Sequence, residues 1–439
     1  MQFRSTRTAT ERVGFSAALT AGLAPDGGLF VPQSWPQLRA EEFVELGIAA
    51  TGAQLLRPFL ADDPLADELS GIVAEAFSFP VPRASVESSV GRASVLELFH
   101  GPTAAFKDFG ARFLAACLAR SASAEDAPLN ILVATSGDTG GAVAAALHRQ
   151  PGVCVTVLFP KGLVSPTQER QLTCWDGNVR SFSVEGSFDD CQRLVKAAFR
   201  DSTLRSQHRL SSANSINLAR LLPQAVYYAR ASVDHWQRTG ESLNLIIPSG
   251  NLGNAVACLW ARRVGLPIDR VLLAHNANRT VVDYVDGGPW QPRASVATLA
   301  SAMDVGDPSN MERLRDLWPD RHGLRGVVQA VSVDDAAIRA RIRADYATYG
   351  QIWCPHTAVA AEAWARLPDI ERRSGRWCLV ATASPAKFPE IVEPLIDALV
   401  PVPATLKALF SRPTTVETLQ PTLEALREAL SQAPRSSAR

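Results

Sequence analysis

From Asn130 onward the chain alternates short, nearly continuous apolar runs with small polar turns and segments of helical spacing. The runs cover residues 131–134, 153–159, 243–247, 271–274 and 378–381. Apolar runs without alternation are how strands buried on both faces of a parallel sheet read, so the pattern predicts βα units. Earlier, Val95, Leu96 and Leu98 read as a short strand, while Phe106, Phe109, Phe113 and Cys117 recur at helical spacing. The Gly101-Pro102-Thr103 between them must then turn, which puts Lys107 in the first turn of a helix. The less regular stretch 160–217 predicts a strand at 179–184 and a helix at 189–199, capped near Gly186 to Asp190. Residues 1–92 mix Gly/Pro turns with helical patterns such as Phe43, Leu46, Ala49 and Ala50, and predict a mostly helical region. After Pro403, Leu419, Leu423, Leu426 and Leu430 are spaced as one apolar helix stripe. The expected class is α/β, with two open parallel-sheet domains at 93–215 and 216–403, the helical region 1–92, and a C-terminal helix and disordered tail at 404–439.

Composition narrows the functional classes. The 439 residues are 46% hydrophobic and carry 44 basic and 44 acidic side chains, so nothing favours a polyanionic partner such as nucleic acid. No signal-peptide core and no apolar stretch long enough for a bilayer is visible, which predicts a soluble cytoplasmic protein without a membrane partner. The seven cysteines are scattered without a C-x-x-C pair, and the seven histidines show no H-x-x-x-H or H-E-x-x-H grouping. A protein-bound metal is therefore not expected.

Two stretches carry chemistry. A lysine at a helix start, among aromatics, is pushed towards its neutral form by the helix dipole and by desolvation. Such an amine can form a Schiff base, although a lysine beside aromatics is more often a snorkelling surface side chain. The second stretch, Ile246-Ile247-Pro248-Ser249-Gly250-Asn251-Leu252-Gly253-Asn254, runs from strand through a glycine turn into an apolar helix. Its glycines allow close backbone approach and its free amides point at an anion, which makes a phosphate cradle. It lacks the spacing of G-x-G-x-x-G and of the P-loop. A phosphate cradle and a nucleophilic lysine on separate βα units are the minimum equipment for pyridoxal phosphate chemistry.

With these in place the chain resembles the threonine synthase family, within the tryptophan synthase β-like (fold type II) class of pyridoxal-phosphate enzymes. The motifs include Gly22-Leu23-Ala24-Pro25-Asp26-Gly27-Gly28, His100 through Gly110, Thr135 through Gly141, Ser165 through Arg170, Ser212 through Asn217, Pro248 through Asn254, Ala302 through Gly306 and Pro385-Ala386-Lys387-Phe388. The resemblance implies that Lys107 binds pyridoxal 5'-phosphate as a Schiff base and that Gly250, Asn251, Leu252, Gly253 and Asn254 hold its phosphate. It implies Thr382 at the pyridine nitrogen, Asp138 facing the ring hydroxyl, and Ser136 and Thr139 on the substrate carboxylate. Arg170 and Asn214 are the implied contacts of the substrate phosphate, with Lys161 and Arg220 as further candidates, and Ser165 is an implied substrate contact. Three positions depart from the family pattern: Ala104 where leucine is expected, Leu252 where phenylalanine is common, and Ser384 where a histidine is frequent. The implied reaction converts O-phospho-L-homoserine and water to L-threonine and phosphate. The rival outcomes are a phospholyase releasing 2-oxobutanoate, and a non-catalytic relative that keeps only the phosphate cradle. A monomer or a small homo-oligomer is expected.

Overall fold

The computed structural model of the chain describes residues 1–8, 12–88, 91–121 and 127–432. The N-terminal region holds a small antiparallel sheet of β1 (Phe3–Ser5), β2 (Arg12–Val13) and β3 (Phe30–Pro32), with helices Phe15–Ala21, Ile48–Leu56 and Leu69–Ala76. Two larger sheets follow. One is built from β4 (Arg83–Ser88), β5 (Gly91–Glu97), β10 (Leu243–Pro248), β11 (Ile268–His275), β12 (Val328–Ser332) and β13 (Trp377–Ala381), in the order β12-β11-β10-β13-β5-β4. The other combines β6 (Leu129–Ala134), β7 (Val153–Pro160), β8 (Val179–Val184), β9 (Arg209–Ser212) and β14 (Glu417–Leu419), in the order β14-β8-β7-β6-β9.

The expected α/β class with open parallel sheets is the observed one. Every residue of β10 is buried, because helices cover both faces of its sheet, and that is why the strand reads as an apolar run broken only by Asn244, whose Oδ1 accepts from the Arg270 amide. All neighbours in the five-stranded sheet are parallel. In the six-stranded sheet only the edge strand β4 runs antiparallel, against β5.

Three expectations change. First, β5 does not join the strands that follow it in sequence. Its Val95 and Leu96 pair with Leu379 and Val380 of β13, so the boundary expected at 92/93 falls inside a strand. Lys107 and the 248–254 loop consequently belong to one sheet. Second, Leu419 is not on the C-terminal helix. Pro421 disfavours helical geometry just before it, and Thr422 caps the helix Leu423–Ser431 by accepting from the Ala425 amide. Leu419 instead pairs with Val184 as an added edge strand. Third, residues 1–92 contain strands of two sheets besides their helices. The tail 434–439, expected to be disordered, lies outside the described residues.

Candidate active site

Four strand ends meet over one cavity: those of β5, β6, β10 and β13. Its lining includes Lys107, Asp138, Ser215, Gly250 through Asn254, His356 and Thr382, as expected for a ligand site at the carboxyl ends of parallel strands.

The turn after β5 is stitched to the turn after β13. Phe106 donates its amide to the Thr382 carbonyl at 2.9 Å, Ser384 donates to the Ala104 carbonyl at 3.0 Å, and Ala105 and Ala383 form an antiparallel bridge. Ala104, fully buried, takes a left-handed φ of 54° to make this turn. Lys107 therefore opens the helix Lys107–Ser121 directly beside Thr382. The helix start is fixed by Asp108, whose carboxylate accepts from the Thr103 amide (2.9 Å) and hydroxyl (2.6 Å). Lys107 Nζ lies 4.5 Å from the centre of the Phe106 ring. Burial, reinforced by the cations Arg220 and Lys387 against the opposing Asp138, lowers its pKa to about 8. This amine is far easier to deprotonate than a solvated lysine.

The cradle faces it. Leu252 adopts a left-handed φ of 61° ahead of the helix Gly253–Arg263, whose first amides have no intrahelical acceptor. The Asn251 amide group donates to Ser215 Oγ (2.9 Å) and its oxygen accepts from the Ser309 amide (2.6 Å). Asn310 donates to the Asn251 carbonyl (3.1 Å). Asn254 accepts from the hydroxyls of Tyr227 and Tyr228, and its buried Nδ2 has no partner among the described residues. A Cβ on Gly250 would stand 2.7 Å from the Met303 Cα, whereas one on Gly253 would meet Ser215 Cβ at 3.1 Å. Backbone cannot step aside as a side chain can. Gly250→Ala is therefore expected to lower pyridoxal 5'-phosphate affinity about tenfold or more, and Gly253→Ala less, from an overpacking cost of about 1–3 kcal/mol. A spectroscopic titration of the apoprotein reads both. Equal affinities for the two variants would contradict the ordering.

On the other sheet, Gly137 at φ 132° starts the helix Asp138–Leu147, and Thr135 Oγ1 accepts from the amides of Gly137 (3.0 Å) and Gly140 (2.9 Å). Asp138 is 5% exposed and pairs at 2.7 Å with Lys387 Nζ, which is completely buried and also donates to the Thr103 carbonyl at 3.0 Å. Gln168 Nε2 donates to the same carboxylate. Burial alone would push Asp138 up, but Lys387, aided by His356 and these hydrogen bonds, holds it down at about 2. His356, near the start of the helix Pro355–Ala365, accepts the Ala302 amide on Nε2 at 3.0 Å. Burial lowers its pKa to about 4, so it is a neutral ring protonated on Nδ1, and that buried nitrogen has no partner among the described residues. Two unpaired donors, Asn254 Nδ2 and His356 Nδ1, and a cradle a single Cβ would fill suit an anionic, hydrogen-bonding cofactor such as pyridoxal 5'-phosphate.

Of the residues picked from sequence, Lys107, Asp138, Gly250, Asn251, Leu252, Gly253, Asn254 and Thr382 line this one cavity. Ser136 and Thr139 are half-buried at the start of the Asp138–Leu147 helix and are not lining residues. Ser165 caps the helix Pro166–Thr173 and touches the Lys387 carbonyl. Asn214 ties the end of β6 by donating to the Ala134 carbonyl at 2.7 Å. Arg170 is exposed on its helix, outside the cavity lining. Lys161 is exposed and paired with Glu185, and Arg220 is buried behind the site on the Ala213 carbonyl. Ser384, in place of the expected histidine, accepts from the Ala386 amide as a turn cap. Sequence reasoning missed His356, Ser215 and the ion-pairing part of Lys387. The available signal for His356 was a polar ring among the alanines and valine that follow Pro355.

Residues 82–383 match the family described as pyridoxal-phosphate dependent enzyme. Residues 2–77 match the threonine synthase N terminus and 357–430 the threonine synthase C-terminal family. The chain is 39% identical over 433 residues to the threonine synthase of Escherichia coli, covering 98% of this chain and 99% of that one. The crystal structure of threonine synthase from Escherichia coli superposes with a TM-score of 0.90 at 38% identity, over 98% of this chain and 99% of the other. That of pyridoxal-phosphate-bound threonine synthase from Brucella melitensis does so with a TM-score of 0.88 at 32% identity, over 99% and 100%. Matched over 98% of its residues by these proteins, the chain belongs to the threonine synthase family of pyridoxal-phosphate-dependent enzymes.

Proposed function

We propose that the chain converts O-phospho-L-homoserine and water to L-threonine and phosphate. The observation that carries this reading is Lys107 held beside Thr382 and across one cavity from the Gly250 to Asn254 loop, in a chain similar to threonine synthases over nearly its whole length. When bound, the cofactor supplies an electron-withdrawing ring that stabilises negative charge next to the substrate nitrogen. Lys107 anchors it, and its lowered pKa suits an amine that takes protons from Cα and Cβ of the substrate and returns them. The amides at the start of the Gly253–Arg263 helix take the cofactor phosphate, where the helix dipole favours an anion. Thr382 would face the cofactor's ring nitrogen, and a neutral hydroxyl there would leave that nitrogen largely unprotonated. Asp138, kept ionised by Lys387, would accept from the cofactor's ring hydroxyl. Ser136 and Thr139, at the opposite helix start, are proposed to take the substrate carboxylate. Ser165 and Asn214 already hold backbone groups and Arg170 faces solvent, so none of the three is assigned to the substrate phosphate here.

No helix among the described residues is long and apolar enough to cross a membrane. We propose a cytoplasmic location, which suits seven free cysteines, and a monomer or small homo-oligomer acting on a small molecule. The test is product analysis of the purified protein with O-phospho-L-homoserine. Threonine and phosphate are expected. Release of 2-oxobutanoate and ammonia would make it a phospholyase, and no turnover of a pyridoxal-phosphate-loaded protein would make it a binding relative.

A further inference from the structure

Beside the active cavity lies a second, larger one of about 780 Å³, within the about 300–1,000 Å³ range of small-molecule sites. The Gly22 to Gly28 motif, which the chemistry above leaves unused, forms part of one wall; the helix Phe188–Arg200 and the segment 307–315 form others. Six cationic side chains line it against three carboxylates, in a chain whose overall charges balance. The carboxylates are largely committed. Asp26 accepts from Ser5, Thr8 and the Gly28 amide, and Glu312 accepts from Thr6 and Arg7. Lys196, Arg200, Arg205 and Arg315 are exposed and form no ion pair among the described residues. Asp307 is the remaining acid on the lining.

The partition between the two cavities is one residue layer thick. Ile216 and Ser309 line the cleft, while Ser215 lines the active cavity, and the Ser309 amide donates directly to Asn251 of the phosphate loop. The cleft that carries the four uncommitted cations is therefore separated from the active cavity, at this wall, by a single layer.

We infer that this cleft is a capture site for phosphomonoester dianions, which concentrates the phosphorylated substrate beside the active cavity. The inference rests on the proposed reaction for the identity of that dianion. A cleft lined by one sign of charge focuses the field and raises the local concentration and encounter rate of an opposite charge, by about tenfold to a thousandfold at low salt. Exposed cations act through water, so the effect fades once the Debye length shrinks to about 3 Å near 1 M salt.

The test uses the holoenzyme with Lys196→Gln, Arg200→Gln and Arg315→Gln combined, and a control of equal charge change, Arg339→Gln, Arg343→Gln and Lys407→Gln, on exposed positions elsewhere. At low ionic strength kcat/KM for O-phospho-L-homoserine should fall on the order of tenfold in the cleft variant with kcat unchanged, and the difference should vanish at high salt. Calorimetric binding of inorganic phosphate should weaken in the same variant only, a readout that does not require threonine to be the product. A cleft variant that matches the parent in both readouts overturns the inference, as does one whose kcat falls while KM holds, or a control that behaves like it. Failure of the parent to form threonine, with phosphate binding still lost in the cleft variant, would overturn the proposed reaction and leave the capture site standing.

Discussion

Lys107→Ala is expected to leave a folded protein that binds pyridoxal 5'-phosphate only reversibly and forms threonine at least about 10²–10⁴-fold more slowly, the range for loss of a positioned proton-transfer group. After borohydride reduction and digestion, the parent should carry the cofactor mass on the peptide containing Lys107, and the variant on none. Finding it on Lys387 or Lys161 would remove the assignment. The same residue sets a pH signature. With its pKa lowered from 10.5 to about 8, the free amine predominates above about pH 8. Covalent attachment of the cofactor to apoprotein should accordingly speed up as pH rises and level off just above 8. A solvated lysine would go on accelerating for two more units.

Lys387→Met is the second large expectation, and it concerns stability. The substitution keeps the volume of a fully buried side chain while stripping Asp138 of its ammonium. Removing one partner of a buried ion pair costs about 3–5 kcal/mol, because the remaining charge stays buried and uncompensated. Adding Asp138→Asn should recover a good part of that loss. Denaturant midpoints of the three proteins decide it, and an unchanged midpoint in Lys387→Met would mean the pair contributes nothing. The pH dependence follows from the sign of the shift. Asp138 is lowered from 3.8 to about 2 in the folded chain, so its contribution is fully present above about pH 4 and is lost as pH falls towards 2. That acid-limb loss should be absent in Lys387→Met.

The parts of the site that were legible in sequence share one property: each is local. Residues 243–254 announce themselves because a strand buried on both faces is mostly apolar and a close backbone approach must use glycine, as Gly250 against Met303 does. Lys107 was legible because the helical spacing of Phe106, Phe109 and Phe113 fixes where its helix begins. The ion pair of Lys387 was not, since a lysine becomes buried only when a carboxylate from a distant segment meets it, and nothing near Lys387 in sequence announces Asp138. For Arg170 the motif gives its position in the chain, while the face of an eight-residue helix that turns inward is decided by packing. The pairing of β5 with β13 and the addition of β14 likewise join segments far apart in the chain, which periodicity alone does not rank.

That pairing has a consequence for biosynthesis. β5 lies near residue 95, its sheet neighbour β13 ends at Ala381, and the edge of the other sheet is filled by β14 at 417–419. A chain emerging from the ribosome carries Lys107 early but has no Thr382 turn to hold it until a further 275 or so residues have been added. At about 5–20 residues per second, the interval between the two strands is on the order of tens of seconds. Throughout it the apolar edge of β5 lacks its central partner, so the nascent chain is a natural client for holding chaperones. The cofactor, which needs both turns, can be loaded only after the segment carrying Thr382 has been made.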